Sequence, residues 1–213
     1  VNDAPVMDAI SDQVIDEDGS LTLTLSASDV DGDDLTFSAS NGNADISVDG
    51  STLTIIPEAD YNGQISVDVF VSDSSDEYDW TTFTLTVTPV NDAPVLADLA
   101  DATTSEDTAY SVSLSSSDVD GDDVTYSAST SSGSAVVDGS TLTVTPGQDY
   151  NGDVTVTVTA SDGSLTDSDS FTLTVTPVND APVVDAIADQ TVDEDNSLTL
   201  TLSASDVDGD DVT

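Results

Sequence analysis

Apolar and polar residues alternate along most of the chain. In residues 21–27 and 83–87 every second residue is apolar, and the residues between them are Thr or Ser. A period of two places apolar side chains on one face of a β-strand and hydroxyl side chains on the other. Val and Thr, which favour strands, are abundant in the chain as a whole. The pattern predicts a folded all-β protein without helices.

Turn dipeptides such as Asp49-Gly50 and Asn62-Gly63 divide the alternating stretches into short strands. In residues 1–89 the predicted strands are Val6–Ile10, Ser20–Ser28, Leu35–Ser40, Ala44–Val48, Thr52–Ile56, Ile65–Ser72 and Thr81–Thr88. Seven short strands separated by tight turns are typical of an immunoglobulin-like β-sandwich. Tyr61 and Tyr150 stand just before the sixth strand, where such sandwiches place a tyrosine that braces a corner.

The chain repeats itself with a period of one small domain. Val-Asn-Asp-Ala-Pro begins at residues 1, 90 and 178, and Asp-Val-Asp-Gly-Asp-Asp begins at residues 29, 118 and 206. We therefore expect two whole domains, residues 1–89 and 90–177, followed by the first part of a third, residues 178–213, as beads in a linear rod. That third part holds too few strands to bury a core by itself. Because no initiator Met is present, we expect the sequence to be a segment of a longer protein.

The charge of the chain excludes several classes of function. It has 44 Asp and Glu residues, no Lys, Arg, His or Cys, and a net charge of −44. Nucleic acids and anionic membranes would be repelled, and no apolar run is long enough to insert into a membrane. Nucleophilic catalysis that depends on His, Cys or Lys is excluded because the chain lacks these residues. Disulfide bonds are excluded because it lacks Cys. A pair of glycosidase carboxylates would need a cleft that a small sandwich does not offer, so we expect no enzymatic activity.

Clustered aspartates indicate a site for a hard cation. Asp29 and Asp31 lie two residues apart in a predicted turn and recur in each repeat. Calcium accepts irregular cages of oxygen ligands, whereas magnesium demands a regular octahedron. The spacing is not that of an EF-hand, because glycine stands at position 4 from Asp29 and Ser40 stands at position 12. The absence of any Gly-Gly pair also excludes the nonapeptide calcium repeat.

Glu17-Asp18 and Ser28-Asp-Val-Asp31 recur in every repeat together with Val-Asn-Asp-Ala-Pro. In these motifs the whole chain resembles the cadherin-like tandem repeats of large secreted bacterial adhesins and matrix proteins. Glu17-Asp18 corresponds to the Glu-Asn that follows the first strand of that family, and Ala27-Ser-Asp29-Val-Asp31 corresponds to its Ala-Thr-Asp-x-Asp. Ala160-Ser-Asp162, and more loosely Val71-Ser-Asp73, correspond to Ala-x-Asp, and Val90-Asn-Asp-Ala-Pro94 corresponds to the calcium-binding linker. The family's leading linker Asp is replaced by Thr88, and its Asp-Arg-Glu by Asp60-Tyr-Asn.

The resemblance implies calcium ions at the junctions between domains, and the replaced positions reduce the expected number to one or two per junction. The implied ligands of the first junction are Glu17, Asp60, Asn91, Asp92, Asp118, Asp120 and Asp162. The implied ligands of the second junction are Glu106, Asp149, Asn179, Asp180, Asp206 and Asp208. Asp29, Asp31 and Asp73 hold the equivalent positions in the first repeat.

The resemblance further implies a structural or adhesive segment of a bacterial extracellular or cell-surface protein, forming a stalk or fibre that calcium makes rigid. Its partners would be neighbouring repeats of the same chain. The alternative is a calcium-dependent carbohydrate-binding module, which would stack sugars on exposed aromatic rings. Lateral contacts with identical chains and extracellular polysaccharide are both open as further partners.

An aromatic patch is predicted on the first repeat alone. The alternation that points Val69 and Val71 inward points Phe70 outward, and the phase of the next strand points Trp80 outward. A hairpin turn near residues 74–79 would bring Phe70 close to Trp80, with Tyr78 at the rim. The second repeat has Thr159 in place of Phe70 and no aromatic residue in place of Trp80. We expect these three rings to form a packing surface for a neighbouring chain in a fibre or, less favoured, a platform for sugars. The alternative is a β-bulge that shifts the phase and turns Trp80 into the core.

Overall fold

The computed structural model describes residues 2–213, and within that range it contains strands, turns and loops but no helix. The chain divides into two compact units, with the division between Asn91 and Asp92. The first unit holds one sandwich domain. The second holds another sandwich domain and the residues that follow it.

The first domain is a β-sandwich of nine strands. The strands are β1 Val6–Met7, β2 Gln13–Asp16, β3 Leu21–Thr24, β4 Ala27–Ser28, β5 Thr36–Ser40, β6 Ala44–Asp49, β7 Thr52–Pro57, β8 Gly63–Ser72 and β9 Tyr78–Thr88. One sheet has the strand order β2-β9-β8-β5, the other has the order β3-β7-β6, and β1 pairs with β4. The two sheets face each other across one apolar core, which is the arrangement of an immunoglobulin-like sandwich.

The core comes from the inward positions of the long hairpin β8–β9. Val67 lies opposite Phe83 in the antiparallel ladder, and the two side chains are 0% and 2% exposed. Leu53 and Ile55 of β7 meet them from the facing sheet and are fully buried. The alternation of apolar and hydroxyl residues in the sequence therefore corresponds to the inner and outer faces of each strand.

Three strand predictions differ from the structure. The predicted strand Ser20–Ser28 is two strands, because the Leu25 N–H leaves the ladder and donates to the Ser51 carbonyl at 2.7 Å. The predicted strand Val6–Ile10 shortens to β1, Val6–Met7. The strand Gln13–Asp16 is absent from the sequence prediction. It runs parallel to β9 at the edge of the sheet. Its ends are polar and its Val14 is exposed, so the strand does not show the alternation of apolar inner and polar outer residues.

Tyr61 braces the entry to β8. Its hydroxyl donates to the Gln64 carbonyl at 3.2 Å while its ring packs on the core. Gly63 passes under this hydroxyl with a φ of 138°, and a Cβ there would lie 3.1 Å from the tyrosine oxygen. Tyr150 makes the equivalent bond to the Asp153 carbonyl at 3.1 Å. The turn before the long hairpin is thus built in the same way in both domains.

The second domain repeats the topology of the first. Its strands are β10 Val95–Leu96, β11 Ala102–Ser105, β12 Tyr110–Ser113, β13 Ser116–Ser117, β14 Thr125–Thr130, β15 Ser134–Asp138, β16 Thr141–Thr145, β17 Gly152–Ser161 and β18 Thr166–Thr176. The sheet orders are β11-β18-β17-β14 and β12-β16-β15, with β10 paired to β13. Its core is centred on Val156, Leu142 and Phe171.

Residues 178–213 continue the second unit without a core of their own. β19 Val183–Val184 pairs antiparallel with β20 Ala204–Ser205, and the Asp185 N–H donates to the Ser203 carbonyl at 2.9 Å. Val183 and Leu202 are 66% and 64% exposed. The segment matches the first strands of a repeat, and its Asp-Val-Asp-Gly turn is formed.

The contrast between the two faces of the first sheet can be measured directly. We expect Phe83→Ala to lower the free energy of unfolding of the first domain by about 3–5 kcal/mol, because it empties a large buried volume. The exposed Val14→Ala, on the same sheet, should change it by less than about 0.5 kcal/mol. Urea unfolding followed by the fluorescence of Trp80, the single tryptophan, reports on this domain. Similar losses for both variants would contradict the assignment of the core.

Candidate metal centre

Glu106 anchors the exit of the second domain. It follows β11, its side chain is 3% exposed, and its N–H donates to the Thr176 carbonyl at 2.9 Å. Its Oε1 accepts a hydrogen bond from the N–H of Val178. The buried carboxylate therefore ties the end of β11 to the last strand and to the first residue of the Val-Asn-Asp-Ala-Pro segment.

Asp107 and Asp149 stand beside Glu106. The Asp149 N–H donates to Asp107 Oδ1 at 3.4 Å. Both residues have left-handed backbones, with φ of 57° and 53°, a conformation that Asp tolerates better than most residues. The first domain has the same construction at Asp18 and Asp60, where the hydrogen bond is 3.3 Å. Two turns from distant parts of the sequence are thus joined in each domain.

Asp180 and Asp208 join the other side of this group. The Asp180 N–H donates to Asp208 Oδ2 at 2.6 Å, and Asp206 Oδ1 shapes the turn by accepting the Asp208 N–H at 3.0 Å. The same bond between segment and turn recurs within each repeat, from the Asp3 N–H to Asp31 Oδ2 at 2.7 Å and from Asp92 N–H to Asp120 Oδ2 at 2.8 Å. This contact is therefore a constant of the repeat.

The carboxylates of the second unit converge on Asp180. Glu106, Asp180 and Asp208 place one oxygen each within 4.8 Å of one another, and so do Asp107, Asp149 and Asp180. Asp180 Oδ2 is buried and has no hydrogen-bond partner. Burial raises the pKa of Asp180 above its ordinary value, and the charges of Asp149, Asp208, Asp107 and Glu106 raise it further. The group has excess negative charge and an unsatisfied buried acceptor at its centre.

These residues fit a hard divalent cation. Every side chain in the two triads offers carboxylate oxygen. Calcium and magnesium prefer this ligand, whereas zinc and copper are usually bound by His nitrogen or by sulfur ligands. A cation would satisfy the unpartnered oxygen of Asp180 and offset the repulsion among its neighbours. Calcium suits the irregular arrangement better, because magnesium requires near-ideal octahedral geometry.

A third carboxylate group lies within the first domain, formed by Asp29, Asp33 and Asp73. Asp29 Oδ1 accepts the N–H groups of Asp31, Gly32 and Asp33 at 2.8, 2.9 and 3.2 Å, and its buried Oδ2 has no hydrogen-bond partner. Burial raises the pKa of Asp33, and the charge of Asp29 adds to the effect. One oxygen of Asp29 therefore organises the turn, and the other is buried without a donor.

Asp73 is the most buried member of that group, at 7% exposure. The Asn2 side-chain amide donates to Asp73 Oδ2 at 2.7 Å, and Asp73 Oδ1 accepts the N–H groups of Ser75 and Glu77 at 2.8 and 3.0 Å. The Asn2 hydrogen bond lowers the pKa of Asp73, with the two backbone donors adding to it against the opposing effect of burial. The hydrogen bonds of Asp73 therefore favour its charged form although the side chain is buried.

Glu17 repeats the role of Glu106 in the first domain. It is 5% exposed, its Oε1 accepts the Val90 N–H at 2.5 Å, and its Oε2 accepts the Asn62 side-chain amide at 3.3 Å. Asn91 is the last residue of the first unit, and Asp92 and Asp120 belong to the second. By sequence equivalence these residues match the second junction, and the make-up of a first-junction site stays a prediction.

The remaining predicted ligands organise turns. In the second domain, Asp118 Oδ1 accepts the Asp122 N–H at 3.2 Å, and Asp162 Oδ1 accepts the Ser164 and Leu165 N–H groups at 2.6 and 2.7 Å. The Asn179 side-chain amide donates to the Asp180 carbonyl at 2.8 Å. Asp31 and Asp206 hold the backbone bonds described above. Within residues 2–213, none of these five belongs to a three-carboxylate group, and their role as ligands stays a prediction.

Sequence reasoning missed Asp107 and Asp33, which the structure places in the groups. The signal was present: Asp107 is the second residue of the recurring Glu-Asp pair, and Asp33 recurs as Asp122 and Asp210 in the repeated turn. Asp18, the counterpart of Asp107, was overlooked for the same reason.

Phe70, Tyr78 and Trp80 lie on the outer face of the hairpin β8–β9. Phe70 and Trp80 are direct cross-strand partners with ring centroids 6.4 Å apart and planes 30° apart. Trp80 and Tyr78 are 55% and 65% exposed. Their role as a contact surface stays a prediction.

The model of a domain family described as Bacterial Ig domain matches residues 2–88 and again residues 91–176. The chain belongs to the bacterial Ig domain family. It is a tandem of bacterial Ig-like repeats of structural or adhesive type, and domains of this family are typical of extracellular and surface proteins. A search of curated proteins found no match.

Solved structures similar to these bacterial Ig domains include two human protocadherins. Protocadherin-24 EC1-2 is 17% identical with a TM-score of 0.49, covering 82% of this chain and 98% of the other. Mucin-like protocadherin EC1-2 is 15% identical with a TM-score of 0.48 at the same coverage of 82% and 98%. An endo-fucoidan hydrolase of glycoside hydrolase family 107 is 21% identical with a TM-score of 0.36. There 82% of this chain corresponds to only 29% of the enzyme.

No element within residues 2–213 is a helix long and apolar enough to cross a membrane.

The raised pKa of Asp180 predicts how the stability of the protein depends on pH when a chelator removes divalent cations. A raised pKa in the folded state contributes stability that is complete below the ordinary value of 3.8 and is lost as the pH rises through the folded value. Asp180→Asn should therefore melt at a higher temperature than the wild type at pH 7 without metal, and the difference should shrink as the pH falls. Differential scanning calorimetry across the acidic range measures this. If Asp180→Asn were less stable than the wild type at pH 7 in the presence of chelator, the charge of Asp180 would not be destabilised by its neighbouring carboxylates, and the prediction would be wrong.

Proposed function

We propose that the chain is a segment of the stalk or fibre of a bacterial extracellular protein, in which calcium bound at the junctions makes successive Ig-like domains rigid. The family supports a structural or adhesive repeat. The calcium dependence rests on the residues of this chain.

The buried, unpartnered Oδ2 of Asp180 is the observation that carries the proposal. It lies in the segment that leaves one domain and enters the next repeat, among carboxylates from both. Without a cation these charges repel one another, while the Val178 N–H ties the segment to Glu106 of the domain and the Asp180 N–H ties it to Asp208 of the next repeat. A bound cation would draw Glu106, Asp180 and Asp208 together and remove the freedom of the segment.

The energy available is modest at each site and adds up along a repeat array. Extracellular calcium modules bind with Kd of about 0.1–1 mM. At a few millimolar calcium each site would then add about 1–2 kcal/mol to the stability of the folded state. We expect one or two ions per junction, in agreement with two triads that share Asp180.

The repetition of the triad residues argues against a catalytic role. These carboxylates belong to a motif that recurs with every repeat, as structural positions do. Localisation outside the cell follows from the proposal, since millimolar calcium is needed to fill such sites.

Calcium titration of the chelated chain tests the proposal. We expect the melting temperature to rise with calcium, the spread of the hydrodynamic radius to narrow, and isothermal calorimetry to find one or two ions at the second junction. Asp180→Asn should remove only the second junction's share of this response: calorimetry should count one or two fewer ions per chain, or find them bound at least about tenfold more weakly, while the other carboxylate groups keep their calcium.

Asp138→Asn is the matched control. It removes one charge from an exposed Asp-Gly turn of the same domain, outside every carboxylate group. It should keep the full calcium response. Sodium chloride at equal ionic strength separates screening from binding. An equal response to calcium in the Asp180 variant and in the control, or no response in the wild type, would refute a calcium site at this junction.

A further inference from the structure

Along the long hairpin, the outer face of the first domain carries aromatic rings that the second domain lacks. Phe70 and Trp80 face each other across β8 and β9, and the equivalent partners in the second domain are Thr159 and Ser168, whose hydroxyls lie 3.2 Å apart. Tyr78 extends the row of rings, where the second domain has Thr166. The backbone register is the same, so the substitution changes the surface without changing the fold.

Carboxylates are added at the same place. Asp68 lies two residues from Phe70 on the same face and accepts a hydrogen bond from Thr82 at 2.6 Å; the second domain has Thr157 there, bonded to Ser170. The hairpin turn of the first domain contains exposed Asp76 and Glu77, whereas the turn of the second is Gly-Ser-Leu after Asp162. The aromatic rings and the additional negative charges therefore occur together.

The charge balance restricts what can cover this face. A second copy of the chain brings another 44 carboxylates and no cation, so contact between copies places like charges against each other. An acidic polysaccharide is repelled for the same reason. A neutral glycan would use the rings but gain little from Asp68, Asp76 and Glu77. A cationic partner uses both features, because aromatic faces and carboxylates each attract positive charge.

We propose that this acidic aromatic face, formed by Asp68, Phe70, Glu77, Tyr78 and Trp80, binds an arginine-bearing segment of another protein. A guanidinium stacks on the exposed ring of Trp80, the most favourable partner for a cation, and Asp68, whose cross-strand partner Thr82 lies two residues from Trp80, receives its N–H donors. Glu77, in the exposed hairpin turn, adds negative charge at the other end of the face. The partner differs from this chain in chemistry, since no residue of the chain can supply the cation.

Arginine is favoured over lysine by the chemistry of the face. The ring centroids of Phe70 and Trp80 lie 6.4 Å apart, and the ring of Trp80 is exposed. A planar guanidinium stacks on such a ring and still directs its edge donors to a carboxylate, whereas an ammonium is a compact and strongly hydrated charge.

The single tryptophan makes the test direct, because Trp80 lies in the face itself. The probe is the peptide acetyl-Gly-Arg-Gly-Arg-Gly-amide, titrated in about 0.15 M sodium chloride, where long-range attraction is screened, with calcium present. We expect a saturable change in Trp80 emission. The peptide with citrulline in place of arginine has the same shape without the charge and should give no change. The lysine peptide should bind more weakly.

Replacing the face by its counterpart from the second domain is the matched variant. The double variant Phe70→Thr with Trp80→Ser should bind the arginine peptide about tenfold more weakly, as measured by isothermal calorimetry. Its melting temperature should change little. Grafting Thr157→Asp, Thr159→Phe and Ser168→Trp onto the second domain of that variant should restore binding. If the double variant fails to fold, Asp68→Asn with Glu77→Gln keeps the rings and should weaken the peptide by about threefold or more.

Three outcomes would overturn the proposal. Equal affinity of the arginine peptide for the wild type and for the variants would show attraction to the general charge alone. A saturable Trp80 response to a neutral cello-oligosaccharide, without one to the arginine peptide, would identify a sugar platform. A dimer in sedimentation analysis that disappears with Phe70→Thr and Trp80→Ser would identify a second copy as the occupant. None of these results bears on the calcium junction, which lies on other residues.

Discussion

Every negative charge of this chain must be balanced without a cationic side chain, since 44 carboxylates face no Lys, Arg or His. Backbone N–H groups take much of that role. Met7 N–H donates to Asp79, Thr84 N–H to Asp12 and Leu96 N–H to Asp167, at 2.9, 2.8 and 2.8 Å. Hydrogen bonds to an ionised acceptor are stronger than neutral ones. The carboxylates thus connect loops to strands in place of salt bridges.

The same constraint separates two kinds of aspartate. Asp206 and Asp162 use an oxygen to organise a turn, and the backbone around them supplies the donors. Asp180 Oδ2 is buried where the chain offers no donor. In a chain without cationic side chains, a buried carboxylate oxygen stays unsatisfied wherever no N–H group reaches it, as at Asp29, Asp118 and Asp180. At the junction, the N–H groups of Val178 and Asp180 are already used by Glu106 and Asp208.

Sequence pattern predicts the fold well because the core is built from strict alternation, as Val67 and Phe83 show. It fails at Gln13–Asp16, since an edge strand that shares only one ladder needs little apolar content. The candidate site was predicted as a set of motifs. Which oxygen is left over depends on hydrogen bonds between residues far apart in sequence, such as Asp149 and Asp107, and no local pattern records them.

In each domain, one short edge strand determines how the domain resists a pulling force; in the first domain it is Gln13–Asp16. It lies near the start of the domain and pairs in parallel with the last strand, as Ala102–Ser105 does in the second domain. Pulling the two ends of a domain apart draws these paired strands in opposite directions along their length. All rungs of the ladder then bear the force together in shear, instead of opening one at a time. In the first domain, the paired segment that resists tension is four residues of each strand long. The N–H of the buried Glu17 donates to the Thr88 carbonyl and extends this segment by one more hydrogen bond.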